Sequence, residues 1–256
     1  MNLNNRAKRA MLTICILATG FFVNIIFKNT LQASLEEYAD KTLLGQALWR
    51  LVPVAAVIII FHGIASLPKE LGLNQLFTKA ELLAILFTLP VLAGAIIFGN
   101  LNTGQPVSYL LAKCFKEGFT EEVFFRAFLF GQLFRHCKWP FIPAVLLPAA
   151  IFGIGHLYQG DSFGASMAAF GVTFLGAVWF SWLYAEWNFN IWVTVAMHFL
   201  MNFYWALFTI GNGATGNVIS NICRGITIFV SIYVTIKMAK RRGYFAVNKN
   251  NLLRAM

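Results

Sequence analysis

Apolar residues in this chain fall in long uninterrupted runs. They do not alternate as in half-buried strands, nor do they trace one stripe as in a soluble amphipathic helix. Eight runs, at about residues 10–28, 48–66, 80–99, 119–136, 139–157, 163–185, 189–210 and 218–238, approach the roughly 20 residues that an α-helix needs to cross a bilayer. Barrel strands would alternate between apolar and polar positions, so the pattern predicts an all-α polytopic membrane helix bundle with about eight transmembrane helices. Residues 1–256 read as a single membrane-embedded domain, with no water-soluble domain attached.

Composition agrees: 59% of the residues are hydrophobic and only 12% are charged, about half the charged share of a soluble domain. The net charge of +10 raises the question of nucleic acid, but the distribution of basic residues answers it. Arg6, Lys8 and Arg9 precede the first run; Lys237, Lys240, Arg241, Arg242, Lys249 and Arg254 accompany or follow the last. This is the positive-inside pattern of a multi-pass protein of the cell membrane with both termini in the cytoplasm. The expected partners are membrane lipid and a peptide or membrane-protein substrate, with no nucleic acid. The loop "FRHCKWP" reads as inside, and "SLEEYAD" and "YQGDS" as outside. Residues 104–117 read as an interfacial amphipathic helix. Residues 239–256 read as a mobile basic tail near anionic lipid. The N-terminal run lacks a small-residue cleavage site and reads as a retained span. Cys15, Cys114, Cys137 and Cys223 have no metal or redox spacing and read as small core residues.

Polar groups are costly inside spans, so those present there are candidates for function. Three clusters qualify. "EEVFFR" holds Glu121, Glu122 and Arg126; Glu122 and Arg126 are at i, i+4 and share a helix face, whereas Glu121 lies about 100° round. This spacing suggests one carboxylate tied up in an ion pair and one left for proton transfer. An acidic first turn capped by Thr120 is the competing explanation. "FGIGH" places Phe152 and His156 one turn apart, and "HFLMN" places His198 and Asn202 on one face. Interhelical hydrogen-bond packing is the alternative for the last pair. His62 and His136 lack comparable companions in the sequence, and Arg224 has no assignable partner. A carboxylate, two imidazoles and an amide suit hydrolysis of a peptide bond by an activated water, with imidazole and amide donors at the oxyanion. No Ser or Cys lies in these motifs, which disfavours an acyl-enzyme.

These three motifs, in this order, resemble the EExxxR, FxxxH and HxxxN motifs of the CPBP intramembrane protease family, which groups CAAX prenyl endopeptidases with bacteriocin-processing and self-immunity proteins. The resemblance covers residues 118–202 and implies an intramembrane endopeptidase. It implies that Glu121 is the base, that His156 helps hold the water, that His198 and Asn202 stabilise the oxyanion, and that Glu122, Arg126 and Phe152 support them. It implies no cofactor; a zinc-dependent mode through Glu121, His156 and His198 is the lesser reading on ligand chemistry. Two non-proteolytic readings compete: a scaffold or immunity protein that keeps the motifs for packing, and a transporter relaying protons or metal through Glu121, His156 and His198.

Overall fold

The computed structural model describes residues 5–23, 43–209 and 215–254. The "SLEEYAD" loop lies outside them. Each of the eight apolar runs coincides with a helix: α1 (Asn5–Phe21), α2 (Leu43–His62), α4 (Phe77–Phe98), a long composite helix, α7 (Phe141–Ile154), α8 (Phe163–Glu186), α9 (Ile191–Leu207) and α10 (Val218–Arg242). A short helix, α3 (Leu67–Glu70), lies between α2 and α4. The only β structure among the described residues is a two-stranded antiparallel pair, β1 (Asn100–Leu101) with β2 (Phe208–Thr209). The chain is an all-α membrane bundle. Helices α2, α4, α8 and α10 are long and apolar enough to cross a membrane. Their outward side chains are apolar: Ile60, Leu82, Leu175 and Phe229 are each more than 60% exposed, as a surface solvated by lipid requires.

The composite helix differs from expectation. Residues 104–117 do not form a separate interfacial helix. Helix α5 (Val107–Glu121) runs without a break into a π-helical segment (Glu122–Phe130) and then α6 (Gly131–Arg135), together roughly 40 Å long. Lys113, Lys116 and Glu117 depress the hydropathy of 104–117, but they carry ordinary helix propensity and do not end a helix. The consequence is large: Glu121 and Glu122 sit halfway along this helix and not in its first turn. The capped acidic first turn is thereby excluded. The π-helical segment is apolar on nearly all sides and forms the centre of the bundle, with Phe124, Phe128 and Phe130 fully buried.

Two close approaches hold α9 and the C-terminal segment in place. A Cβ on Gly118 would meet the backbone N of Phe199 at 3.0 Å, so the missing side chain lets α5 lie directly against α9. The C-terminal segment is not a mobile tail: it folds back across the end of the bundle. Glu186, at the end of α8, accepts from the backbone N–H of Val247 at 3.0 Å and of Ala246 at 3.2 Å, and pairs with Arg242 Nη2 at 3.3 Å. The N–H groups of Phe141 and Ile142 donate to the carbonyls of Asn251 and Leu252 at 2.8 and 3.1 Å. Burying a carboxylate at Glu186 requires donors, and the segment after Arg242 supplies them. Glu186→Ala should therefore release residues 243–254. Amide exchange at Ala246 and Val247 is expected to quicken about 10- to 100-fold, since hydrogen bonds to charged groups are worth about 1.5–3 kcal/mol; unchanged exchange would mean the contact does not hold the segment.

The four cysteines are unpaired thiols, Cys114 and Cys137 being buried. Arg224, without an assignable partner in the sequence, lies over the Trp205 ring with Cζ 5.2 Å from its centroid.

Candidate active site

Glu122 and Arg126 form the ion pair that their spacing suggests, with Arg126 Nε 3.2 Å from Glu122 Oε2 and both side chains essentially removed from solvent. The guanidinium is held between two aromatic faces, 4.8 Å from the Phe152 centroid and 5.4 Å from that of Phe180. Cation–π contacts of this kind gain strength when desolvated. Phe152 thus supports Arg126 from α7, which the sequence alone did not specify.

His198, midway along α9, reaches across to both glutamates. Its Nδ1 lies 2.8 Å from Glu122 Oε1, and its Nε2 lies 3.9 Å from Glu121 Oε2. A carboxylate only accepts, so Nδ1 carries the hydrogen of the short bond and Nε2 faces Glu121. The 3.9 Å gap is too long for a direct hydrogen bond and matches the situation in which a water sits between. The buried Glu122–Arg126 pair thereby fixes the ring that meets Glu121, while Glu121 itself keeps 14% of its side chain exposed.

His156 follows the end of α7. Its Nδ1 lies 2.7 Å from the carbonyl oxygen of Phe152, one turn back, so Nδ1 donates and Nε2 is bare in the neutral ring. The ring packs on Phe152 with centroids 4.4 Å apart, and it is close enough to Glu121 to interact electrostatically with it. Asn202 lies one turn beyond His198 on the same face of α9 and is half-buried, its side chain making no hydrogen bond to another described residue. The motif residues from three separate helices therefore come to one region. Glu121, Glu122, Arg126, Phe152, His156 and His198 interact within it, and Asn202 lies beside it on the His198 face.

One participant was missed. Arg50, on α2, donates from Nη1 to Glu121 Oε1 at 3.2 Å and to Thr120 Oγ1 at 3.5 Å. Its side chain is 33% exposed, against 14% for Glu121. The available signal was a lone arginine inside the second apolar run, which in a membrane segment implies a partner.

The lesser, zinc-dependent reading has a geometric test. Among the described residues, the cluster whose His and carboxylate ligand atoms converge closely is not Glu121, His156 and His198 but a different set, His62, Glu70 and His136. At the Glu121 site one carboxylate oxygen is engaged by Arg50 and His198 Nδ1 by Glu122. A zinc ion bound by this trio would have to compete with a guanidinium already on one of its ligands.

Sequence comparison finds a family likeness over the part of the chain that holds this geometry. Residues 103–204 match the type II CAAX prenyl endopeptidase family, Rce1-like. The matched region starts just before α5 and ends within α9, so it contains every motif residue and leaves out Arg50. No curated protein matches the chain. The family is one of proteases, in agreement with the resemblance carried by the motifs, and supports a peptidase in a membrane bundle.

Proposed function

We propose that this chain is an intramembrane endopeptidase of the CPBP type, in which Glu121 activates a water for attack on a peptide carbonyl. The observation that carries the reading is His198 bridging the two glutamates, one locked to Arg126 and the other open. In this mechanism Glu121 Oε2 takes a proton from water lodged beside it, and the bare Nε2 of His156 accepts the water's second hydrogen and orients it. The hydroxide forms a bond to the carbonyl carbon, and the carbonyl electrons move onto its oxygen. His198, in its protonated form between two carboxylates, and the Asn202 amide donate to that oxyanion. Collapse breaks the C–N bond, and the proton held by Glu121 passes to the leaving amine.

Helix lengths support water at this depth. Helix α7 has 14 residues, about 21 Å against a hydrocarbon core of about 30 Å. A helix this short does not span the core alone, and irregular backbone at membrane depth is tolerated only within protein or beside a water-filled cavity. Arg50 lies towards the N-terminal end of α2, away from the basic end that gathers Arg135, Arg242 and the folded-back C-terminal segment. With the basic end in the cytoplasm, the site opens towards the opposite side. The substrate is then a membrane-embedded or extracytoplasmic peptide segment, prenylation being a separate property for experiment to assign.

The test compares peptide termini in membranes of cells making the wild-type chain and Glu121→Gln. A set of new termini that appears only with wild type is expected. Identical termini at equal protein levels would favour the non-catalytic scaffold.

A further inference from the structure

The two histidines without companions in the sequence meet at the basic end of the bundle. His62 is the last residue of α2, Glu70 the last of α3, and His136 follows α6. One ring nitrogen from each histidine and one Glu70 carboxylate oxygen all lie within 4.8 Å of one another. The rings stand 4.5 Å apart, tilted by 55°. Glu70 is buried, and the two histidines are partly exposed, so an ion from solution can reach them.

We propose that His62, Glu70 and His136 form a binding site for one divalent transition ion of the zinc class. Two imidazoles and one carboxylate are the donor set such ions take, leaving a fourth position for water. Tetrahedral zinc with ligands near 2.1 Å places them about 3.4 Å apart, which small side-chain rotations reach from the present spacing. His62 Nε2 lies 2.9 Å from Gln132 Oε1 and donates to it, leaving Nδ1 bare. A metal-binding histidine is ordinarily oriented by such a bond from its other nitrogen. Gln132 is fully buried, and its Nε2 has no partner among the described residues, so a water bound to the ion would supply one.

Two positive charges bear on the site. Arg135 donates from Nη1 to the Glu70 carbonyl at 3.0 Å and lies 3.5 Å from Glu70 Oε2, and Lys8 acts on His62 from α1. Both oppose a cation. Arg135 also fixes the Glu70 backbone, which keeps the ligand in place. Glu70 Oε2 faces His136 Nε2 and the Arg135 guanidinium, both of which favour its carboxylate form. Nε2 of His136 lies 2.6 Å from Glu70 Oε2 and shares one hydrogen with it. The ion takes the place of that hydrogen, which in a neutral ring moves to Nδ1 as the imidazole ligates through Nε2. The site is far from Glu121, separated by the length of the π-helical segment and α6. It joins the end of α2 to the end of the composite helix, the two elements that carry Arg50 and Glu121.

The experiment uses the full chain in detergent, stripped with chelator, titrated with Co2+ and then Zn2+, and dialysed before metal analysis. One ion per chain is expected, with tetrahedral Co2+ absorption bands. His62→Gln and His136→Gln should each weaken binding at least tenfold, while His156→Ala and Glu121→Gln retain it. Wild-type protein that takes up no stoichiometric Co2+ or Zn2+ would overturn the proposal, whatever the variants do. So would loss of the ion in His156→Ala with its retention in His136→Gln.

Discussion

Arg126→Met is expected to leave little folded protein. Its guanidinium is the counter-charge for a Glu122 carboxylate with no exposure of its own, and removing one member of a buried pair costs about 3–5 kcal/mol because the other is stranded. Only the His198 Nδ1–H would then remain on Glu122. The expected outcome is a loss of the monodisperse peak on size exclusion, or a fall in Tm large enough to see in any thermal assay. The double variant Glu122→Gln/Arg126→Met separates this cause from lost packing: replacing both charges together is often neutral, so it should recover much of the stability. An Arg126→Met protein as stable as wild type would show that the pair carries no structural weight.

Glu121→Gln is expected to do the opposite, sparing the fold and removing the chemistry. Glu121 Oε1 pairs with Arg50 Nη1, and the glutamine Oε1 still accepts from that guanidinium. A glutamine amide is nearly isosteric but cannot take a proton from water, and loss of a positioned general base costs about 10²- to 10⁴-fold in rate. The purified variant should therefore match the wild type in Tm and elution volume while its cleavage rate falls by that factor. Glu122→Gln makes the contrast: it weakens both stability and activity, because Glu122 acts through the His198 ring.

The bundle was legible because lipid demands long apolar runs, and each run became a helix. The Glu122–Arg126 pair was legible because helical spacing dictates it, and it survives the shift into π-helical geometry. What lay hidden was set by tertiary contacts. Hydropathy breaks at Lys113, Lys116 and Glu117, yet the backbone continues through them, and this alone moved Glu121 from a helix end to a helix centre. Arg50 comes from a helix far earlier in the chain, with no spacing rule linking it to Glu121. Glu186 captures backbone N–H groups at Ala246 and Val247, a pairing invisible to charge counting, so the basic C-terminal segment reads as free when it is docked. His62, Glu70 and His136 meet only because α2, α3 and α6 end together.

The most direct measurement reconstitutes wild-type and Glu121→Gln chains in liposomes. A peptide pool with prenylated and unmodified members is added, and newly formed termini are read by mass spectrometry. The account predicts discrete cleavage products from wild type and about 10²- to 10⁴-fold less from Glu121→Gln at equal folded protein. Equal product from the two, with the variant's fold intact, would contradict it.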